Sequence, residues 1–386
     1  MRRRRGLRGV DQPVCGAGAG VSEVLVASGW GERKDEFQRA LLSWFWRARR
    51  DLPWRGVGDP YATWVSEIML QQTQVITVID YFQRWMARFP DVQSLAAADE
   101  EEVLEQWSGL GYYRRARFLH RAAKVVVDEH GGAIPSTLEG LRRLPGVGPY
   151  TAGAIASIAF GLPAPIVDGN VIRVFARLFA IAGDPRSTAN QKIFWELAEA
   201  LVDRNKPGDF NEALMELGAR VCAPRSPACL LCPVREYCAG FASGEPEALP
   251  EVARRSAVKP MRALTVVVHR RGTSGRDMLV GPREAGGLLA GMLEFPTVER
   301  EGTRWPELDE VASLLGMPIV AEEVGEVTHI FSHRRLQTRM YAAEIDAPVT
   351  VAEERWRWVP ELELGQAAIS ALTRKIYERW KTSEPV

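Results

Sequence analysis

Apolar side chains recur at helical spacing from Asp35 onward: Phe37, Leu41, Leu42, Trp44 and Phe45, then Trp64, Ile68 and Met69, then Val75, Ile79 and Phe82. Residues three and four apart share one face of a helix, so each set predicts a helix packed along an apolar stripe. Gly131 and Gly132 stop the segment that begins near Arg114, and Ser136–Glu139 (STLE) has the spacing of a capping box at a new helix start. An all-α region is predicted over 35–240. Over 241–260 (including GEPEALPEVARRSAVKP) no period is sustained and Pro, Glu and Ser accumulate, as in a linker.

Beyond the linker the period becomes two. Leu264, Val266 and Val268 alternate with Thr265, Val267 and His269, and Leu336, Thr338 and Met340 with Gln337, Arg339 and Tyr341, which predicts half-buried strands. Helical spacing returns at Ile369, Leu372, Ile376 and Trp380, so 261–386 reads as an α+β domain. Residues 1–34 open on Arg2 to Arg5 and are expected to form a disordered tail, lacking the apolar run of about 7–15 residues of a secretory signal.

Composition narrows the class. The chain has 386 residues, 46% hydrophobic and 25% charged, which is ordinary for a globular protein of two or three domains. The longest nearly apolar stretch, Ala154 to Val167, is broken by Gly161, Pro163 and Pro165 and falls short of the ~18–20 residues that cross a bilayer. No membrane span is expected, and the expected location is the cytoplasm, at the nucleoid if the cell is bacterial, rather than outside. With 49 basic against 49 acidic residues the chain lacks the basic surplus of a dedicated nucleic-acid binder.

Four of the five cysteines, Cys222, Cys229, Cys232 and Cys238, form a C-x6-C-x2-C-x5-C run. Such spacing converges thiolates on one centre and suits an iron–sulfur cluster or zinc. Zinc favours two short pairs, and one short pair flanked by longer gaps leans toward the cluster. A disulfide fits poorly, since nothing marks the chain as secreted. Arg220, Arg225 and Arg235 flank the run, either as phosphate contacts or as solvated side chains.

Leu144–Thr151 (LPGVGPYT) lies between two helical patterns. It is either a plain turn or a hairpin whose backbone N–H groups at Gly146, Val147 and Gly148, aided by the following helix dipole, hold a phosphate oxygen without any basic side chain. It lacks the Lys-Ser/Thr ending of a P-loop. Farther on, Asp168 sits at a predicted helix start in IVDGNVIRV, where it is either an N-cap or a functional acid. Glu67 is the one acid inside WVSEIMLQQTQV; among Ile, Met and Leu a carboxyl tends toward a raised pKa, as a general acid needs, unless the position is merely solvated. Two carboxyls in unequal environments are what glycosidic-bond cleavage requires.

The hairpin, Asp168 and the cysteine run, in this order, resemble the helix-hairpin-helix DNA glycosylases of the endonuclease III superfamily. Within it, LPWR (52–55), SEIMLQQTQ (66–74), GLGYY (109–113) and VDGN (167–170) resemble the MutY-type adenine DNA glycosylases, and GLLAGMLEFP (287–296) with FSH (331–333) resembles the Nudix-like domain of that family. The likeness runs from about Asp35 to the C-terminus and weakens after the linker.

The resemblance implies a multidomain fold: an all-α helix-hairpin-helix glycosylase domain with an iron–sulfur cluster loop, then an α+β Nudix-like domain. It implies a 4Fe-4S cluster on Cys222, Cys229, Cys232 and Cys238. The implied substrate is double-stranded DNA, bound by a monomer, in which adenine is mispaired with 8-oxoguanine or guanine. Glu67 would protonate adenine at N7, and Asp168 would stabilise the cationic sugar and help activate water, supported by Tyr150 and Asn170. Trp54, Arg55 and Glu212 would line the adenine pocket, Gln72 and Tyr112 would wedge the duplex, and Phe331, Ser332 and His333 would recognise 8-oxoguanine. Relatives that also cut the backbone carry a Schiff-base lysine where this chain has Tyr150, which implies a monofunctional enzyme. After Phe295 and Pro296 the second domain has no Arg-Glu followed by a Glu-Glu pair placed to hold Mg²⁺, as a working Nudix hydrolase has. Two other readings stand beside this one: a thymine or uracil mismatch glycosylase, which normally lacks the second domain, and a non-catalytic DNA-binding module, which has no need of both Glu67 and Asp168.

Overall fold

The computed structural model describes residues 21, 25, 30–251, 259–273, 275–284, 289, 291–331, 334–345, 355–365, 367 and 369–383. In chain order the helices are α1 (Trp30–Ala48), α2 (Pro60–Leu70), α3 (Val75–Arg88), α4 (Val92–Ala97), α5 (Glu100–Gln106), α6 (Arg114–His130), α7 (Leu138–Arg143), α8 (Pro149–Ile158), α9 (Gly169–Leu178), α10 (Thr188–Leu201), α11 (Pro207–Arg220) and the short α12 (Ala239–Ala242). Contacts group the chain into two units, one of Met1–Ala96 with Arg121–Arg254, the other of Ala97–His120 with Arg255–Val386.

The first unit is helical, and four of its helices meet in one buried cluster. Phe37, Leu41 and Phe45 of α1 meet Val174 and Phe175 of α9, Phe194 and Leu197 of α10, and Phe210 and Leu214 of α11. This is the stripe that the spacing predicts, and each such side chain contributes about 1.5–3 kcal/mol on burial. α1 begins at Trp30 rather than Asp35, because the Trp30 ring is buried against Phe37 and Phe179, with centroids 5.2 and 4.7 Å away. Val21 and Leu25 join the same core, so the expected 1–34 tail is in part packed chain; residues 1–20 lie outside the described residues.

Two local readings change. The helix after Pro135 is capped by Thr137, whose hydroxyl accepts from Gly140 N at 3.1 Å, one residue beyond the cap that the STLE spacing predicts. Within the stretch read as linker, α12 and a 3-10 turn at Pro246–Ala248 are ordered beside the cysteines.

Among the described residues of the second unit seven strands form one mixed sheet: β1 (Lys259–Gly272), β2 (Gly275–Pro282), β3 (Leu293–Glu294), β4 (Thr297–Glu301), β5 (Glu322–Ile330), β6 (Arg334–Glu344) and β7 (Arg357–Pro360). The order is β3-β2-β1-β6-β5, with β4 on β1 and β7 on β2; β1 and β6 run parallel, and β2 and β4 lie antiparallel to β1. β6 is half-buried as predicted, but β1 is buried on both faces. Ala263 and Val267 face α15 (Ala371–Ser383), while Leu264, Val266 and Val268 face α13 (Leu308–Leu315), so a helix covers each side. The four-residue α14 (Glu361–Leu364) precedes α15. No described helix is long and apolar enough to cross a membrane.

Candidate active site

α2 opens on Pro60 under an Asp59 cap, which accepts from Tyr61 N at 2.8 Å, and residues Tyr61 to Met69 are all buried. The apolar stripe is in fact an apolar cylinder, and Glu67 is its one charged residue, 5% exposed. Tyr150 on α8 donates its hydroxyl to Glu67 Oε2 at 2.6 Å, and the Met215 sulfur lies 3.2 Å from the same hydroxyl. Burial pushes the Glu67 carboxyl up to about 7; the Tyr150 hydrogen bond draws it back, Glu212 and Asp168 add to the rise, and Arg55 opposes it. Glu67 therefore keeps its proton close to neutral pH, where a general acid works best. The resemblance implies that Tyr150 supports Asp168; in the structure its hydroxyl is hydrogen-bonded to Glu67.

The turn between α7 and α8 closes through Val147 N donating to Leu144 O at 3.1 Å. Gly146 holds φ +77°, a left-handed conformation that favours glycine, and Gly148 caps α8 with Pro149 in its first turn. Val147 is buried and anchors the turn, while Gly146 and Gly148 are exposed, with nothing within 4 Å of where a Gly148 Cβ would stand. The helix start is thus open to an anion.

Asp168 is the N-cap read for it, and both of its oxygens are engaged. One oxygen caps α9, accepting from Val171 N at 2.7 Å; the other accepts from Asn170 Nδ2 at 2.9 Å. The Asn170 amide is oriented in turn by Arg173, which donates to its oxygen at 2.8 Å and to the carbonyls of Gly218 and Cys222 at 2.7 Å. Gly218 is required here: a Cβ would stand 2.6 Å from Asn170 Cβ, so only glycine lets α11 approach this close. Asp168 is half-buried and Glu67 buried, the unequal pair that the sequence suggests.

Arg55 links the loop after α1 to α11. Its Nε donates to Glu212 Oε1 at 2.9 Å and one terminal nitrogen to Glu216 Oε2 at 2.8 Å. Burial raises the Glu212 carboxyl, although Arg55 pulls it down. Glu216 and its partner Arg50 went unnoticed in the sequence, yet Glu212 and Glu216 stand one turn apart on one helix face, which is a readable signal. Trp54 is 8% exposed, edge-on to Phe82 at 5.4 Å. Gln72 and Tyr112 are exposed and held at φ 60° and 50°, conformations uncommon outside glycine and concentrated at functional sites. In the second unit Phe331 N donates to Arg334 O at 2.8 Å and its ring lies 4.6 Å from His329; Ser332 and His333 lie outside the described residues.

The four cysteines line one cavity together with Arg177, Val221, Arg235, Phe241 and Pro246. Arg177, 2% exposed, donates to Cys222 Sγ at 3.4 Å and to the carbonyls of Ala223 and Pro224 at 2.7 and 3.0 Å, so the run starts from a fixed base. Of the flanking arginines, Arg220 donates to Ala48 O, Arg235 stacks on Phe241, and Arg225 is exposed.

Against known families, a model described as HhH-GPD superfamily base excision DNA repair protein matches residues 65–200, and one described as NUDIX domain matches residues 265–379. The adenine DNA glycosylase of Mus musculus is 41% identical over 400 residues, covering 89% of this chain and 78% of the mouse protein. That of Homo sapiens is 41% identical, covering 90% and 74%, and that of Schizosaccharomyces pombe 34% identical, covering 89% of each. A solved structure of a thermostable thymine-DNA glycosylase is 33% identical with a TM-score of 0.52, covering 56% of this chain and 99% of that one. The fold is therefore multidomain as the periods predict, a helix-hairpin-helix part followed by a Nudix-like part with a mixed sheet.

Proposed function

We propose, from the premise that the chain belongs to the adenine DNA glycosylase family, that the adenine it removes stands opposite 8-oxoguanine or guanine and that it leaves the DNA backbone uncut. Membership makes it a DNA glycosylase that excises adenine in base excision repair. The observation that carries the chemistry is the Glu67 carboxyl, buried, raised to about 7 and hydrogen-bonded by Tyr150.

In this reading adenine is flipped out of the stack into the site. Glu67 gives its proton to N7, so the electron pair of the breaking C1′–N9 bond is accepted by a neutral leaving base. Asp168, oriented by Asn170, stabilises the oxocarbenium-like sugar that remains, and takes a proton from the water that adds at C1′. Backbone cutting needs a nucleophilic amine, and LPGVGPYT contains no lysine.

The open start of α8 supplies phosphate contact without net charge. Phe331, Ser332 and His333 would read the base opposite adenine. Hydrolase activity of the Nudix-like unit is not part of the proposal, since Glu294 and Glu299, the acids nearest Phe295, are both bound by Arg283.

The cysteine cavity fits a 4Fe-4S cluster by its donor set. Four thiols line one space, the all-thiolate donor set that such a cluster takes. Cys222, Cys229, Cys232 and Cys238 would hold it, and when bound it would tie the loop together. About four iron atoms per chain are expected, and a colourless zinc protein overturns the assignment.

A thymine or uracil glycosylase is the second reading, favoured by the thymine-DNA glycosylase fold match and opposed by the NUDIX match over 265–379. Incubation with duplexes bearing A:8-oxoG, A:G, T:G or U:G, then alkali, separates them. Cleavage confined to the A-containing duplexes is expected; cleavage of T:G alone sinks the proposal.

A further inference from the structure

We propose that Glu216 is a positioning residue for base recognition: with Arg50 it fixes the Arg55 guanidinium at the angle from which Arg55 and Glu212 address the flipped base. This rests on the reading above that Arg55 and Glu212 line the adenine pocket.

The Glu216 side chain is fully buried and both its oxygens are engaged. Arg50 donates to Oε1 from its backbone N at 3.3 Å and its Nε at 2.8 Å, and to Oε2 from a terminal nitrogen at 2.8 Å; Arg55 donates to Oε2 at 2.8 Å. The ring of contacts closes through the Arg50 carbonyl, which accepts from Arg55 at 3.0 Å. Arg55 also lies 5.4 Å from the centroid of the Phe45 ring. Three of its N–H donors are thus committed, one each to Glu212, Glu216 and the Arg50 carbonyl, and the remainder point where those contacts force them. A planar guanidinium held on several sides has one orientation, which is what an edge-reading contact needs.

Charge points the same way. Burial pushes Glu216 up, but the hydrogen bonds from Arg50 and Arg55 outweigh it and hold the carboxyl at about 2, so it stays ionised in the working range. Its charge offsets Arg55, whose field otherwise falls more fully on Glu212 and Glu67; burial raises both carboxyls and Arg55 opposes the rise in each.

The test compares single-turnover excision of adenine with that of unsubstituted purine, which lacks the exocyclic amino group, opposite the same base. In Glu216→Gln the adenine-over-purine ratio is expected to fall at least tenfold, and in Arg50→Gln at least threefold, because a misplaced Arg55 penalises the base with more to recognise. A residue needed only for folding lowers both rates equally. Arg55→Gln is the control for the underlying reading. If it collapses the ratio while the Glu216 and Arg50 variants lose both rates in parallel, the positioning role is overturned and the pocket reading stands. If Arg55→Gln leaves the ratio unchanged, the pocket reading fails and the proposal with it. Should Glu216→Gln not fold, Arg50→Gln, at a side chain 34% exposed, decides alone.

Discussion

Glu67 and Glu216 are both buried carboxyls on helices of the first unit, 5% and 1% exposed, yet one is pushed up to about 7 and the other held at about 2. Burial disfavours the charged form in both. What differs is the number and charge of donors. Around Glu67, α2 is buried on every side with no other charged residue, and one neutral hydroxyl reaches the carboxyl; around Glu216, two guanidiniums saturate both oxygens. Depth alone therefore does not decide protonation. One region keeps a proton available to give away, while the other fixes a cation in place.

The comparison breaks most visibly in catalysis. Glu67→Gln removes the proton and Asp168→Asn the carboxylate, and each is expected to lower single-turnover base loss by about 10³-fold or more. Asp168→Asn should leave lesion binding largely intact, and full turnover in either variant removes that residue from the chemistry.

Stability comes next, with opposite signs. The folded-state pKa of Glu67 lies above its ordinary 4.5, so the folded state binds more protons between about 4.5 and 7 and loses stability as pH rises through that window. Glu67→Gln is expected to be more stable than the parent by about 2 to 3 kcal/mol at pH 8, with no gain below pH 4.5. Glu216 is depressed from 4.5 to about 2; its contribution is present above 4.5 and lost as pH falls through about 2. Glu216→Gln should cost about 3 kcal/mol at neutral pH, as breaking a buried pair does. Denaturant melts of both variants across pH check this, and shifts of the same sign at pH 8 would end the contrast.

Tyr150→Phe sharpens it. Loss of the hydroxyl donor raises Glu67 further, so the alkaline limb of the excision rate should move up by less than one pH unit, with a rate loss under about tenfold. An unmoved limb detaches Tyr150 from Glu67. The smallest effect lies in the second unit: His333→Ala should reduce the preference for 8-oxoguanine over guanine by a few-fold, about what one hydrogen bond supplies, and an unaltered ratio rejects that recognition role.

Much of this site was legible along the chain. Helical stripes, the cysteine run, the glycine hairpin and the lone acid of WVSEIMLQQTQV are local patterns, set by neighbours a few residues away. Asp168 as a helix cap was equally readable, and its carboxylate accepts from Val171 N. The Tyr150–Glu67 bond spans 83 residues and the Arg50–Glu216 pairing 166, and no spacing rule reaches across such separations. The tail boundary failed at Trp30 because the aromatic partners that bury it include Phe179, far along the chain. β1 was read as half-buried because alternation counts only one covered face, whereas α13 and α15 cover both.

The sequence by itself determined which groups are present, which stretches carry helical or strand periods, and that two acids sit in unlike local settings. Only the tertiary structure decided which of the buried carboxyls keeps its proton. That follows from the physics: a pKa responds to desolvation and to donors within a few ångströms in space, and the donors that separate Glu67 from Glu216 come from segments distant in the chain.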